Sequence, residues 1–249
     1  MGNLGVSRSL RRGVNALRRL AAGLPARGVV SPETPDDLFL AHLALYRFAA
    51  RYVSGRRVLD LGCGTGYGSA HLSAAGAASV VGLDADARLL AYARRRFAGP
   101  SVRFVTGNAE EAHGDLGLFD AIVAANLLAH LERPALAVEE AARHLHPEGA
   151  FVASVPPIAD DRAMEAHRAS SRHRSNLYLW DWETLLARRF GKLELFRLEP
   201  PPGAALDLAN PAPSRLDVKD FRAVPVSLAR PAEAGSLAAI YVATRPRLG

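Results

Sequence analysis

Cysteine is all but missing: Cys63 is the only one in 249 residues. A disulfide framework is therefore excluded, and so is any zinc site built on paired cysteines. A reducing, cytoplasmic setting fits this usage. Long apolar runs are also missing, and no window approaches the roughly 20 residues a bilayer-spanning helix needs. Within residues 1–30 the longest apolar stretch is broken by arginine pairs, which does not read as a secretory signal. The histidines lack an H-E-x-x-H or similar metal spacing, so no metal is expected. There is no internal repeat.

Acidic residues are absent from residues 1–30, which hold Arg8, Arg11, Arg12, Arg18, Arg19 and Arg27. Those six account for the whole net charge of +6, because the other 25 basic side chains are matched by 25 acids. A neutral body argues against a nucleic-acid partner. Leu10, Val14, Leu17 and Ala21 share one side of a helical wheel, opposite most of the arginines. Residues 1–30 read as a basic amphipathic extension. It is suited to an anionic membrane surface or a protein partner, and equally to packing on its own domain or remaining a solvated tail.

What is present is an ordinary globular composition, 49% apolar and 22% charged, long enough to bury a three-layer core. From Leu38–Val53, a helical pattern, the chain alternates. Strand-like runs at Arg57–Gly62, Ser79–Asp84, Val102–Asn108, Phe119–Asn126 and Gly149–Val155 are interleaved with helical patterns at Gly66–Ala75, Asp86–Phe97 and Pro134–His146. That rhythm predicts parallel strands joined by right-handed crossovers. Residues 157–176 are polar, Asp181 is placed to cap a helix over Trp182–Phe190, and two last strands fall at Lys192–Leu198 and Leu237–Thr244. The proline-rich connection between those strands is long for a compact domain, a common trait of lids and binding loops.

The chemistry concentrates in Val58–Gly66, VLDLGCGTG. A hydrophobic strand enters a turn with Gly62, Gly64 and Gly66, and a helix opens directly after it. Such a turn lets a ligand approach bare main chain at the carboxyl edge of a parallel sheet. The spacing is G-x-G-x-G preceded by Asp60, not the G-x-G-x-x-G of nicotinamide proteins. Asp84 ends the next strand, where a carboxylate can accept from both hydroxyls of a ribose.

The run from Val58 to Pro156 resembles the class I S-adenosylmethionine-dependent methyltransferases, through the blocks VLDLGCGTGYG, VVGLD, GNAEE, FDAIVAANLLAHL and LHPEGAFVASVP in order. The resemblance implies a Rossmann-like, doubly wound α/β fold: a seven-stranded sheet, mostly parallel with an antiparallel last strand, and helices on both faces. Residues 31–249 would form this one domain, with substrate-side insertions over 157–237. It also implies S-adenosylmethionine as cofactor. Asp60, Gly62, Gly64 and Gly66 would surround its methionine end, Asp84 would hold the ribose, Ala85, Asn108 and Ala109 would meet the adenine, and Asn126 would lie beside the methionine moiety. Where the family more often has Asp, position 108 is Asn, whose carbonyl still accepts from an exocyclic amine. The flanking HLALYRFAARYVSGRR is similar to a bacterial group associated with sugars and surface polysaccharide. His42 and Tyr46 of that group's helix are kept, but Ala44, Leu45 and Ala129 depart from its pattern.

A hydroxyl acceptor gains from a base that titrates near neutrality, as histidine does. His130, after the fourth strand, is the first candidate and His173 the second. An ordinary helix histidine and a solvated loop histidine are the plainer alternatives. His42 and Tyr46 either reach the pocket or belong to helix surface and core. Tyr178, Trp180 and Trp182 form either a stacking surface for a ring substrate or ordinary packing around Asp181. The [DN]-P-P-[YF] motif of amine methyltransferases is missing after the fourth strand, which argues against DNA as substrate. The expected acceptor is a small molecule or glycan, methylated at oxygen. Two alternatives stay open: a cofactor-binding module without turnover, and a nicotinamide-dependent oxidoreductase, which the absent Tyr-x-x-x-Lys pair disfavours.

Overall fold

The computed structural model describes residues 21–24, 29–33, 35–170, 173–206, 208, 214–226 and 236–247. Most of the basic extension, residues 1–20 and 25–28, lies outside them, as does part of the connection before the last strand.

Five parallel strands form one side of the sheet: β1 (Arg57–Leu61), β2 (Ser79–Asp84), β3 (Val102–Thr106), β4 (Phe119–Ala124) and β5 (Leu145–Val155). Then come β6 (Phe190–Glu199), β7 (Arg222–Val226) and β8 (Ala238–Pro246). The order is β3-β2-β1-β4-β5-β8-β6-β7, and β5–β8, β8–β6 and β6–β7 are antiparallel pairs. This is the expected doubly wound, mostly parallel architecture, with eight strands where seven are predicted. The added strand, β7, closes the far edge with Pro225 in it. Proline is tolerated at a sheet edge, and it masks the strand in the sequence.

Six helices are described: α1 (Asp37–Ala49), α2 (Tyr67–Ala74), α3 (Ala87–Phe97), α4 (Pro134–Arg143), α5 (Asp161–Ser170) and α6 (Leu179–Ala187). Alternation along the strands sorts them onto two faces. Val58, Val80, Ala121, Val123 and Val152 pack with Leu45, Phe48, Leu72 and Leu90 of α1, α2 and α3. Leu59, Val81, Ile122, Phe151 and Tyr241 pack with Val138 of α4 and Trp182 and Leu186 of α6 on the other face. Both faces are dry, which is why these strands read as nearly continuous apolar runs.

The larger differences from the sequence reading lie after β4. The polar stretch after Pro156 contains a helix, α5, whose first turn is acidic at Asp161. The last helix starts at Leu179 rather than Trp182, and Asp181 caps it from inside by accepting from the Tyr178 N–H at 3.0 Å. β5 begins at Leu145, with a register irregularity opposite Phe119–Ala121 that absorbs Pro147 and Gly149.

Residues 29–33 and 21–24 pack on α3 and on the turn after β1. Leu24 is buried, Arg95 Nη2 donates to the Ala22 carbonyl at 3.3 Å, Tyr92 Oη donates to Glu33 at 2.7 Å, and Thr65 Oγ1 donates to the Val30 carbonyl at 3.0 Å. The stretch at 214–220 reaches back onto α1, with Arg47 donating to the Val218 carbonyl at 3.3 Å.

Candidate active site

The carboxyl ends of β1, β2, β4 and β5 form one edge, and the glycine turn crosses it. Gly62, Gly64 and Gly66 all have left-handed φ, at 74°, 54° and 80°. The N–H groups of Gly62 and Cys63 both donate to the Leu83 carbonyl, at 2.7 and 3.0 Å, which locks the turn to β2. A Cβ on Gly64 would meet nothing within 4 Å, so its backbone faces open space, whereas one on Gly62 would collide with Leu127 at 2.7 Å. The turn thus combines an accessible main-chain surface with a wall supplied by the loop after β4.

Asp84, at the end of β2, is aimed at the same place. Its Oδ2 accepts from the Gly64 N–H at 2.8 Å and its Oδ1 from the Asp86 N–H at 2.8 Å. Each carboxylate oxygen keeps acceptor capacity beyond that one bond, enough for a vicinal diol. Ala85 follows it, exposed. The Gly107 N–H donates to the Asp84 carbonyl at 3.0 Å and draws the loop after β3 alongside. There Asn108 Oδ1 accepts from the Glu110 N–H and Nδ2 donates to Glu111, both at 3.1 Å, and Ala109 is buried. The Asn108 amide is thus engaged in its own turn at both ends.

Strand parity turns Asp60 toward α1 and α2, on the side of Val58. It is wholly buried and accepts from Ser69 Oγ at 2.6 Å and Tyr46 Oη at 3.1 Å. Burial pushes its carboxyl up to about 7, against the two hydrogen bonds, and nearby Asp84 adds to the rise. Cys63 is buried, and burial raises its thiol well above the ordinary range, which suits packing rather than nucleophilic chemistry.

Asn126, just past β4, adopts φ 52°. Its N–H donates to Ser154 Oγ at 2.8 Å, the same hydroxyl donates to its Oδ1 at 3.2 Å, and its Nδ2 lies 2.8 Å from His42 Nε2. Burial, and then nearby His130, hold His42 down at about 4. Sequence alone does not single out Ser154; a hydroxyl inside the apolar run of β5 is the signal that marks it.

Both histidine candidates meet here. The ring of His130 stands edge-on to that of His173, centroids 4.4 Å apart, and His173 stacks on His167 with ring nitrogens 3.0 Å apart. The polar segment is fastened to the loop after β4: the N–H groups of Arg174 and Ser175 donate to the Ala129 carbonyl at 2.9 and 3.0 Å, and Ser175 Oγ donates to the Leu131 carbonyl at 2.7 Å. Desolvation lowers His130, and holds His173 at about 4 together with the two neighbouring histidines. These rings are neutral near pH 7. Among the described residues no group of three or more His, Cys, Asp or Glu is arranged to hold a metal ion.

The aromatic cluster divides. Trp182 is buried in the core, while Trp180 is exposed and stacks on Tyr178 at 4.5 Å. Tyr46 is buried against Asp60, so it belongs to the core and to the site at once.

Residues 58–149 match the methyltransferase domain family. A demethylmenaquinone methyltransferase of Clavibacter sepedonicus is 39% identical over 110 residues, 43% of this chain and 44% of that protein. A ubiquinone biosynthesis O-methyltransferase of Aromatoleum aromaticum is 37% identical over 100 residues, 39% of this chain and 42% of that protein. The matches thus span less than half the length of these curated relatives. The TehB-like S-adenosylmethionine-dependent methyltransferase of Corynebacterium glutamicum shares the fold, with a TM-score of 0.53 at 22% identity, over 96% of this chain and 99% of that one. Motif order, sheet topology and these similarities agree: residues 58–149 are a segment of the class I S-adenosylmethionine-dependent methyltransferase kind, set in a sheet of the same fold, and S-adenosylmethionine is the cofactor of that family.

Proposed function

We propose that this chain methylates a hydroxyl group of a small organic acceptor, with S-adenosylmethionine as donor. The observation that carries the donor half of the reading is the pairing of Asp84 with the Gly64 N–H, which sets a group able to accept from a diol beside open glycine backbone. In this reading Asp84 holds the ribose and Ala85 with Ala109 flanks the adenine. Asn108 meets the adenine edge, its Oδ1 keeping acceptor capacity beyond the bond from the Glu110 N–H. Asp60, Gly62, Gly64 and Gly66 shape the methionine end, with Asn126 beside it. The cofactor supplies an activated methyl group, and the protein chiefly holds the acceptor in line with it.

His130 is the base that takes the acceptor proton, and His173 orients it. Their neutral rings are in the correct state to receive a proton near pH 7, though with less basicity than a free imidazole. The relative named as a ubiquinone biosynthesis O-methyltransferase supports oxygen as the atom methylated, on a quinone-type acceptor rather than a glycan. A lipid-soluble acceptor would also give the arginine-rich stretch of residues 1–30 a role at an anionic bilayer.

Turnover with labelled S-adenosylmethionine over a panel of phenols, hydroxyquinols and sugars tests this. Label transfer to a hydroxyl, slowed in His130→Ala, is expected. Tight cofactor binding with no transfer to any member would instead favour a binding module without turnover.

A further inference from the structure

α1 presents two polar side chains one turn apart, His42 and Tyr46, toward the ends of β4 and β1. Tyr46 engages Asp60. His42 engages Asn126, and this contact has a direction. An amide nitrogen can only donate, so Asn126 Nδ2 donates to His42 Nε2 at 2.8 Å, and the imidazole proton sits on Nδ1. The other end of the amide is also fixed, because Oδ1 accepts from Ser154 Oγ while that oxygen accepts from the Asn126 N–H. An amide nitrogen carries two hydrogens. One goes to His42; the other has no partner among the described residues. The backbone of Asn126 is left-handed, a conformation Asn tolerates better than most residues, so the amide is held at a strained turn by α1 and β5 together.

We propose that His42 is a positioning residue: by accepting one hydrogen of the Asn126 amide, it directs the other at the carboxylate of the bound methionine moiety. This rests on the placement of Asn126 beside the methionine end of S-adenosylmethionine. His42 stays unprotonated through the neutral range, with burial and then His130 as the causes, so its acceptor nitrogen is always available. Leu127, directly after Asn126, lies against Gly62, so the orientation of this turn also sets the wall of the glycine loop. α1 thereby ties both walls of the cleft to one helix, through Tyr46 at β1 and His42 at β4.

Calorimetry on the full chain with two probes tests the idea: S-adenosylmethionine, and 5′-methylthioadenosine, which lacks the amino-acid end. His42→Ala is expected to weaken S-adenosylmethionine about five- to tenfold, the worth of one directed hydrogen bond, and to leave methylthioadenosine unchanged. His42→Gln, whose side-chain oxygen can accept, is expected to recover most of the loss. If His42→Ala does not fold, His42→Leu fills the space without an acceptor and carries the same expectation. Unchanged affinity for S-adenosylmethionine, equal losses for both probes, or no recovery in His42→Gln would each overturn the role of His42. A wild-type chain that binds neither probe would instead overturn the cofactor reading beneath it.

Discussion

Single residues carry most of the specific chemistry, and Asp84 is the sharpest case. Its two oxygens are already oriented by backbone N–H groups, so in the proposed reading a ribose diol would meet an acceptor pair at no further ordering cost. Asp84→Ala is expected to weaken S-adenosylmethionine at least tenfold in a folded protein, measured by calorimetry. His130→Ala is expected to lower turnover more than it lowers cofactor affinity; equal effects on both would remove it from the role of base. Asp60 gives a pH signature. Its carboxyl titrates near 4 when unfolded and is raised to about 7 in the fold, chiefly by burial. Between those values the folded chain holds a proton that the unfolded chain releases, so the ligand-free protein loses stability as pH rises through that window. Asp60→Asn should flatten this slope in chemical denaturation run from about pH 5 to about pH 8. At this scale the glycine turn, Asp60 and Asp84 were legible because each sits at or just past the carboxyl end of a strand at fixed spacing. Ser154, Ser69 and the His42–Asn126 bond were not, because they join residues far apart in sequence whose contact only the sheet order creates.

Elements explain why those residues stay where they are. α1 and α2 touch so closely at the site that a Cβ on Gly68 would come within 2.0 Å of the Tyr46 ring. Gly68→Ala must displace that ring, which also releases its bond to Asp60. We expect about 1–3 kcal/mol of lost stability from overpacking, read as a lowered melting temperature, with weakened cofactor binding in the same variant. A normal melt with intact binding would show that the α1–α2 approach is looser than described. Element order was readable from alternating apolar runs, because strands buried on both faces and amphipathic helices leave different periods. α5 was not: a helix over DRAMEAHRAS has a thin apolar face, and composition alone makes it a loop. Nor was β7, whose Pro225 argues against a strand except at an edge, and edge position is a property of the whole sheet.

At the scale of the molecule, the sheet reverses direction after β5, so helix-covered parallel strands carry the edge crossed by the glycine turn and the antiparallel set β8-β6-β7 completes the far side. In the proposed reading, the segments at the acceptor end would arrive from distant parts of the chain: α1 from before β1, the histidines after β4 and β5, and the 214–220 stretch folded back on α1. That convergence explains why the cofactor could be read from local motifs while the acceptor could not. It also makes the fold responsive to ligand: S-adenosylmethionine at a hundred times its dissociation constant should add about 2.7 kcal/mol of stability, seen as a concentration-dependent rise in melting temperature. The most direct measurement is a crystal structure with S-adenosylhomocysteine. Both ribose hydroxyls within hydrogen-bonding distance of Asp84, with the amino-acid end over Gly62–Gly64, are the predicted result. A ligand bound elsewhere, or that cleft filled by protein side chains, would contradict the account.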